Sequence, residues 1–247
     1  MKKYIFLFVI ATSLFACTHK AYRPSQLSYT GYKINGGSKT DANVIAMLKV
    51  YSDSVNSTMN GVIGTVAEPL SKALPEGGLG NIMADAMMMG AVRQYNKNVD
   101  GAFMNYGGIR LSQIAAGPIT TGKIFELMPF DNVLVLQDVN GEQLQAFLDH
   151  ISSRGGWPTA GITYDIKNKK AVNVVVKGKP IDATAIYTIA NGDYVANGGD
   201  DCAMLKNIPQ LNKGILVRDV LLDYVKLQTA LNRPVSGKIE GRVKAIK

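Results

Sequence analysis

The sequence predicts an α/β domain (α+β in the order of its elements) built on mixed sheets. Three observations point there. Apolar segments of helical and of strand-like period alternate irregularly, and hairpin signals sit among them. The composition, 47% hydrophobic and 19% charged, is that of a folded globular chain and not of a disordered one. A doubly wound parallel sheet would alternate strand and helix regularly, which this chain does not. Its 247 residues are enough to bury a full-sized core.

The first residues predict export. Lys2-Lys3 is a short cationic region and Tyr4 to Ser13 a nearly unbroken apolar segment, too short for a comfortable membrane span. It runs into Leu14-Phe15-Ala16-Cys17, which resembles a bacterial lipobox. An ordinary leader with a coincidental cysteine is the alternative. The small residue, apolar residue and cysteine in place favour a signal peptide over 1–16 with lipidation at Cys17, and so a lipid-anchored chain facing the periplasm or the cell surface. Cys202 then has no partner for an intrachain disulfide. Residues 17–40, with Pro24, glycines and no clear period, are expected to form a tether.

A folded domain is expected over 41–247. Val44, Ile45, Leu48, Tyr51, Val55 and Met59 follow a helical spacing, with Asp41 as N-cap and Asn60-Gly61 as stop. Val62 to Ala67 has the pattern of a strand, ended by Pro69, and a loop over 72–78 leads into a helix reaching Tyr95. The methionines Met83, Met87, Met88 and Met89 of that helix could line a ligand stripe but fit better as soft core filler. Gly101 to Met104 is a short buried strand. Thr121 to Met128 is a short helix stopped by Pro129-Phe130, and Asn132 to Val139 a strong strand. Asn140-Gly141 opens an amphipathic helix with Leu144, Phe147, Leu148 and Ile151 on one face. In the following loop Trp157 is either packing or a pocket rim. Val172 to Ile181 is a hairpin, Ile186 to Ala190 a strand, Ile215 to Leu231 the last long helix and Gly241 to Ile246 the last strand.

The formal charge of +8 favours an anionic partner such as a nucleotide, a nucleic acid or an acidic membrane surface. No Lys/Arg run or basic–aromatic stripe is present, so nucleic acid gains no support. The chemistry gathers in two Gly-Gly loops. Asn105-Tyr106-Gly107-Gly108-Ile109-Arg110 follows the strand at 101–104, and Asn197-Gly198-Gly199-Asp200 follows the strand at 186–190. Each has a charge beside it, Arg110 and Asp200, and an aromatic near it, Phe130 and Tyr194. Two rings can sandwich a planar base. A carboxylate can accept both ribose hydroxyls, and an arginine can pair with phosphate through parallel donors. Singly, each has a plainer account: Phe130 as core, Tyr194 as a buried strand residue, Asp200 as a turn residue.

Five motifs occur in one order: Leu-Gly-Asn-x-x-x-Asp-Ala (79–86), Asn-x-Gly-Gly-Ile-Arg (105–110), Gly-x-Ile-Thr (117–120), Pro-Phe-x-Asn (129–132) and Asn-x-x-Tyr-x-Ala-x-Gly-Gly-Asp (191–200). From Asp41 to Ile246 the chain resembles the C-terminal, substrate-binding domain of the 5′-nucleotidase and UDP-sugar hydrolase family. The resemblance implies that fold, as a single domain. It also implies a substrate site of Asn105, Gly107, Gly108, Arg110, Phe130, Tyr194, Gly199 and Asp200, with the two aromatics on the base, Asp200 on the ribose and Arg110 on phosphate. The ligand is then a nucleoside monophosphate or nucleotide sugar, and Asn81 and Asp85 are structural. Tyr106 replaces a glycine usual in the family. Asp201-Cys202 replaces glycine and an aromatic, and the loop before Leu79 offers Lys72 where an arginine is expected.

The resemblance also implies a second part that these 247 residues do not contain. Relatives hold two metals in an N-terminal metallophosphoesterase domain, on histidines, aspartates and an asparagine. Here only His19 and His150 occur, with no Asp-x-His or Gly-Asn-His-Glu/Asp run. His150, ending an amphipathic helix, fits a solvated or packing histidine. No cofactor is therefore expected on this chain. Divalent metals are expected on a separately encoded metallophosphoesterase, to which it would supply base and ribose recognition in nucleotide catabolism. The alternative is a non-catalytic surface lipoprotein that captures or senses nucleotides.

Overall fold

A computed structural model describes residues 28–33 and 35–247. The expected signal peptide, Cys17, His19 and the first part of the tether lie outside the described residues. Two compact units divide at Met47–Leu48. Helix α1 (Ala42–Met59) crosses that division. Its start is capped as expected, with Asp41 Oδ1 accepting the backbone N–H groups of Asn43 and Val44 at 2.8 and 3.2 Å. None of its residues is buried, and Leu48, Tyr51 and Val55 are all more than half exposed.

The larger unit continues with β1 (Val62–Val66), β2 (Leu70–Ser71), α2 (Gly78–Tyr95), β3 (Gly101–Phe103), β4 (Gln113–Ile114), β5 (Gly117–Thr120) and α3 (Thr121–Leu127). Then come β6 (Val133–Asn140), α4 (Gly141–Ser153), β7 (Thr159–Ala160), β8 (Ile162–Lys167), β9 (Lys170–Val176) and β10 (Lys179–Pro180). The chain ends with β11 (Ile186–Gly192), the single-turn α5 (Asp193–Ala196), β12 (Gln210–Leu216), α6 (Val217–Ala230) and β13 (Val243–Ala245). The main sheet has the order β12-β6-β11-β3-β7, and a second has β10-β9-β8-β13. In the main sheet only β11 and β3 are parallel. In the second only β13 and β8 are. The predicted mixed-sheet α/β architecture is the one observed.

The main sheet separates two cores, because successive side chains of a strand face opposite ways. Ala102, Leu136 and Ala190 join the core under α2 and α6. Phe103, Val139 and Ile189 face α4. Met83 and Met87 are wholly buried in the first, so the methionines of α2 that matter are core filler. In the second, Phe147 meets Phe103 and Trp157 edge to face at 5.0 and 6.0 Å, which settles Trp157 as packing. Helix α4 begins with a capping box between Asn140 and Gln143.

The motif at 79–86, with Glu76 before it, ties α2 to the C-terminal segment at 238–242. Asn81 Nδ2 donates to Glu76 Oε1 and to the Lys238 carbonyl at 2.7 and 2.8 Å. The Glu76 carboxylate accepts the N–H groups of Glu240, Gly241 and Arg242. Asp85 holds the Arg242 guanidinium through two parallel bonds of 2.6 and 2.9 Å. The departures from expectation include one boundary and one strand. Ile215 and Leu216 belong to β12, and α6 starts at Val217. Strand β8 was not anticipated, although Ile162, Tyr164 and Ile166 alternate inward along it.

Candidate ligand-binding cleft

Strand direction gathers the cleft. Because β3 and β11 are parallel, the loops that leave them emerge at one edge of the sheet, and antiparallel β6 receives its incoming loop there. Three segments far apart in sequence thus meet: 105–110, 130–132 and 194–200. They enclose an open cleft of about 380 Å³. Of the eight predicted site residues, Asn105, Gly107, Gly108, Arg110, Phe130, Tyr194 and Asp200 line it. Asn132, quoted within a motif but given no role, lines it as well.

Gly199 does not line the cleft; it lies behind a ring. A methyl group there would come within 2.5–2.6 Å of three atoms at the phenol end of Tyr194, well inside normal carbon–carbon contact. Gly108 serves a similar purpose, since its Cβ would meet Met104 and the Asn105 side chain at 2.4 and 2.6 Å. Residues 106–108 form one 3₁₀ turn. Gly108 and Gly199 are therefore required for close approach, whereas Gly198, with φ of 92°, is required for its dihedral.

The polar floor is preorganised. Asn105, only 8% exposed, donates from Nδ2 to Asp200 Oδ2 at 2.8 Å. The Tyr194 hydroxyl accepts the Asp200 backbone N–H at 3.2 Å and donates to Asp200 Oδ1 at 3.3 Å. An ionised carboxylate has about four acceptor positions, so Asp200 keeps capacity for a ligand. At the rim, Phe130 and Tyr194 are 40% and 48% exposed, which excludes the plainer accounts of both as buried residues. Arg110 lies 5.7 Å from the Phe130 centroid, its Nη1 donating at 3.3 Å to the Gly107 carbonyl. Most of its fork remains open to solvent.

Tyr106 and Lys72 form a pair beside this rim. Lys72 Nζ lies 3.8 Å from the Tyr106 ring centroid and donates to the Ile109 carbonyl at 2.9 Å. Desolvation, and then the nearby Arg110, lower the Lys72 ammonium below its ordinary pKa. Lys72 does not line the cleft.

Supporting residues that sequence reasoning missed hold these groups from behind. Arg218 of α6, 8% exposed, donates to the Met128 and Phe130 carbonyls and to Asp131 Oδ1 at 3.5, 3.2 and 2.7 Å. It thereby fixes the loop that presents Phe130. From α4, His150 Nε2 lies 2.9 Å from the Asp200 carbonyl, and Arg154 pairs with the Asp201 carboxylate. These contacts join residues tens of positions apart, and no local pattern announces them. Cys202, beneath this turn, is fully buried. Burial first, then Asp200, pushes its thiol up to about 12, against a smaller opposing effect of Arg154.

Among the described residues no three His, Cys, Asp or Glu side chains converge as metal ligands would. The cleft's side chains offer two exposed rings, an amide, a carboxylate and a guanidinium, groups suited to stacking, hydrogen bonding and charge pairing.

These features define a mixed-sheet α/β domain with an open cleft at one sheet edge. The chain belongs to the family of 5′-nucleotidase C-terminal domains, whose family model matches residues 62–207. It is 31% identical over 160 residues to a 5′-nucleotidase of Vibrio cholerae, covering 62% of this chain and 28% of that one. Against the trifunctional nucleotide phosphoesterase protein YfkN of Bacillus subtilis it is 30% identical over 188 residues, 69% of this chain and 12% of the other. The crystal structure of a 5′-nucleotidase precursor from Thermus thermophilus superposes with a TM-score of 0.71 at 28% identity, over 82% of this chain and 43% of that one. The chain thus spans between about an eighth and just over a quarter of the curated relatives named here.

Proposed function

We propose that this domain binds the base and ribose of a nucleoside phosphate and presents its phosphate to a metallophosphoesterase encoded separately. The observation that carries the reading is the meeting of two exposed rings, a carboxylate and an open guanidinium on one cleft. The base stacks on Phe130 and Tyr194, each contact contributing about 1–3 kcal/mol. Asp200 accepts from the ribose hydroxyls while Asn105 holds its other oxygen. Arg110 pairs with the phosphate at the open side of the cleft. Hydrolysis needs an activated water and a Lewis acid, which the partner's metals would supply. Membership of the 5′-nucleotidase C-terminal family and the similarity to the named relatives support a nucleotide ligand. Export and lipidation at Cys17 belong to the same proposal and rest on the sequence of residues 1–17 alone.

Calorimetry with AMP, adenosine and UDP-glucose tests the binding step. Heat with at least one of them, lost in a Phe130→Ala, Tyr194→Ala double variant, is expected. No heat with any of the three overturns it. Phosphate release by an exported metallophosphoesterase with manganese, measured with and without this chain, tests the partnership. A partner equally active alone argues against it. Incorporation of labelled palmitate, abolished by Cys17→Ser, checks the anchor.

A further inference from the structure

The turn that carries Asp200 is held in a conformation its own residues disfavour. Asp200 and Asp201 both have left-handed backbones, with φ of 52° and 60°. Non-glycine residues adopt that region at a cost, of the order of 1 kcal/mol or more each, and keep it only where surroundings enforce it. Two consecutive aspartates there need an external restraint.

Helix α4 supplies one from outside the cleft. His150 Nε2 is the donor of this contact, because its neighbour at 2.9 Å is a carbonyl oxygen that can only accept. One turn further on, Arg154 pairs with the Asp201 carboxylate. The helix is itself rigid, with Phe147, Leu148 and Ile151 wholly buried. Neither His150 nor Arg154 lines the cleft.

We propose that His150 and Arg154 are positioning residues that hold the Asp200–Asp201 turn left-handed, and that they thereby set selectivity for ligands with free ribose hydroxyls. The proposal rests on the reading of the cleft given above. His150 acts on the Asp200 backbone carbonyl, so it leaves the side-chain oxygens free for the ligand. Arg154 acts on the carboxylate of Asp201, the second left-handed residue, with φ of 60°. Release of either restraint lets Asp200 turn away from the ribose without disturbing the rings that take the base.

The test compares adenosine with 2′,3′-dideoxyadenosine by calorimetry on the full chain, in the wild type, His150→Ala, His150→Gln and Arg154→Ala, with thermal melts of each. Wild-type protein is expected to prefer adenosine. His150→Ala is expected to weaken adenosine about fivefold to tenfold, as for loss of one restraining hydrogen bond, Arg154→Ala about threefold to fivefold, as for loss of an exposed ion pair, and both to leave dideoxyadenosine within about twofold. His150→Gln, which keeps a donor at a similar reach, restores the preference. An unchanged adenosine preference in both alanine variants overturns the proposal, and so does an equal loss for both nucleosides, since that is general loosening. A wild type that binds neither nucleoside, or both equally, refutes the ribose role of Asp200 itself and this proposal with it.

Discussion

Replacing Gly199 by alanine tests whether the height of the Tyr194 ring matters to binding. The added methyl would lie 2.5 Å from Cζ and 2.6 Å from each Cε. Carbon contacts are most favourable at about 3.5–4.0 Å, so the ring must move by roughly 1 Å. The hydroxyl contacts to Asp200, already 3.2 and 3.3 Å long, are then broken. Because the ring is about half exposed, it can swing into solvent, and the fold should lose only about 1 kcal/mol, the net worth of a hydrogen bond. Binding loses one stacked partner, about 1–2 kcal/mol of the usual range for base stacking, or roughly 5- to 30-fold in affinity. Calorimetry with adenosine beside a thermal melt reads both quantities. Affinity within twofold of wild type would refute the reasoning, and so would a similar loss when the change is made in a Tyr194→Ala background.

Four other outcomes follow from the geometry. Arg218→Lys should weaken adenosine while leaving ribose 5-phosphate nearly unchanged in calorimetry, because it loosens the loop that presents Phe130 and not the ribose floor. Phe147→Ala should cost about 3–5 kcal/mol in denaturant melts, since it removes a wholly buried ring that touches Phe103 and Trp157. Asp85→Ala should cost about 2 kcal/mol in the same assay, because the mostly buried Arg242 loses a bidentate partner. Cys202 should resist thiol reagents at pH 8 until the protein unfolds. Its folded pKa of about 12 lies above the ordinary 9.0, so its contribution to stability is full below pH 9 and declines as pH rises towards 12. Cys202→Ala should flatten that alkaline decline in chemical denaturation.

Much of this was legible because the signals were local. The run Val133 to Val139, the Asn140-Gly141 start of α4 and the apolar stripe of Leu144, Phe147, Leu148 and Ile151 each fix an element without tertiary information. Seven of the predicted site residues converge because motif order carries the family's loop arrangement. What sequence could not give was set by contact. Ile215-Leu216-Val217 is one apolar run, so the change from β12 to α6 inside it has no residue signal. Strand β12 is a largely exposed edge with polar residues and no inward alternation. The apolar spacing of α1 predicts its helix correctly but says nothing of what covers it, and the helix has no buried residue. His150 and Arg154 resemble any polar residues late in a helix until α4 is seen against the turn at 200–201. Gly199, predicted to touch ligand, packs instead against the Tyr194 ring.

The gathering of the cleft from three distant loops has a consequence for how binding relates to folding. Asn105 and Asp200 are 95 positions apart, and their hydrogen bond exists only once β3 and β11 lie side by side. No fragment carrying one loop contains a miniature of the site. A nucleoside that binds here would recognise the finished sheet, so its affinity measures the population in which β6, β11 and β3 are paired. Added ligand would then raise the melting temperature of the whole sheet in proportion to the logarithm of its concentration. That shift makes the small molecule a reporter of assembly as well as an occupant.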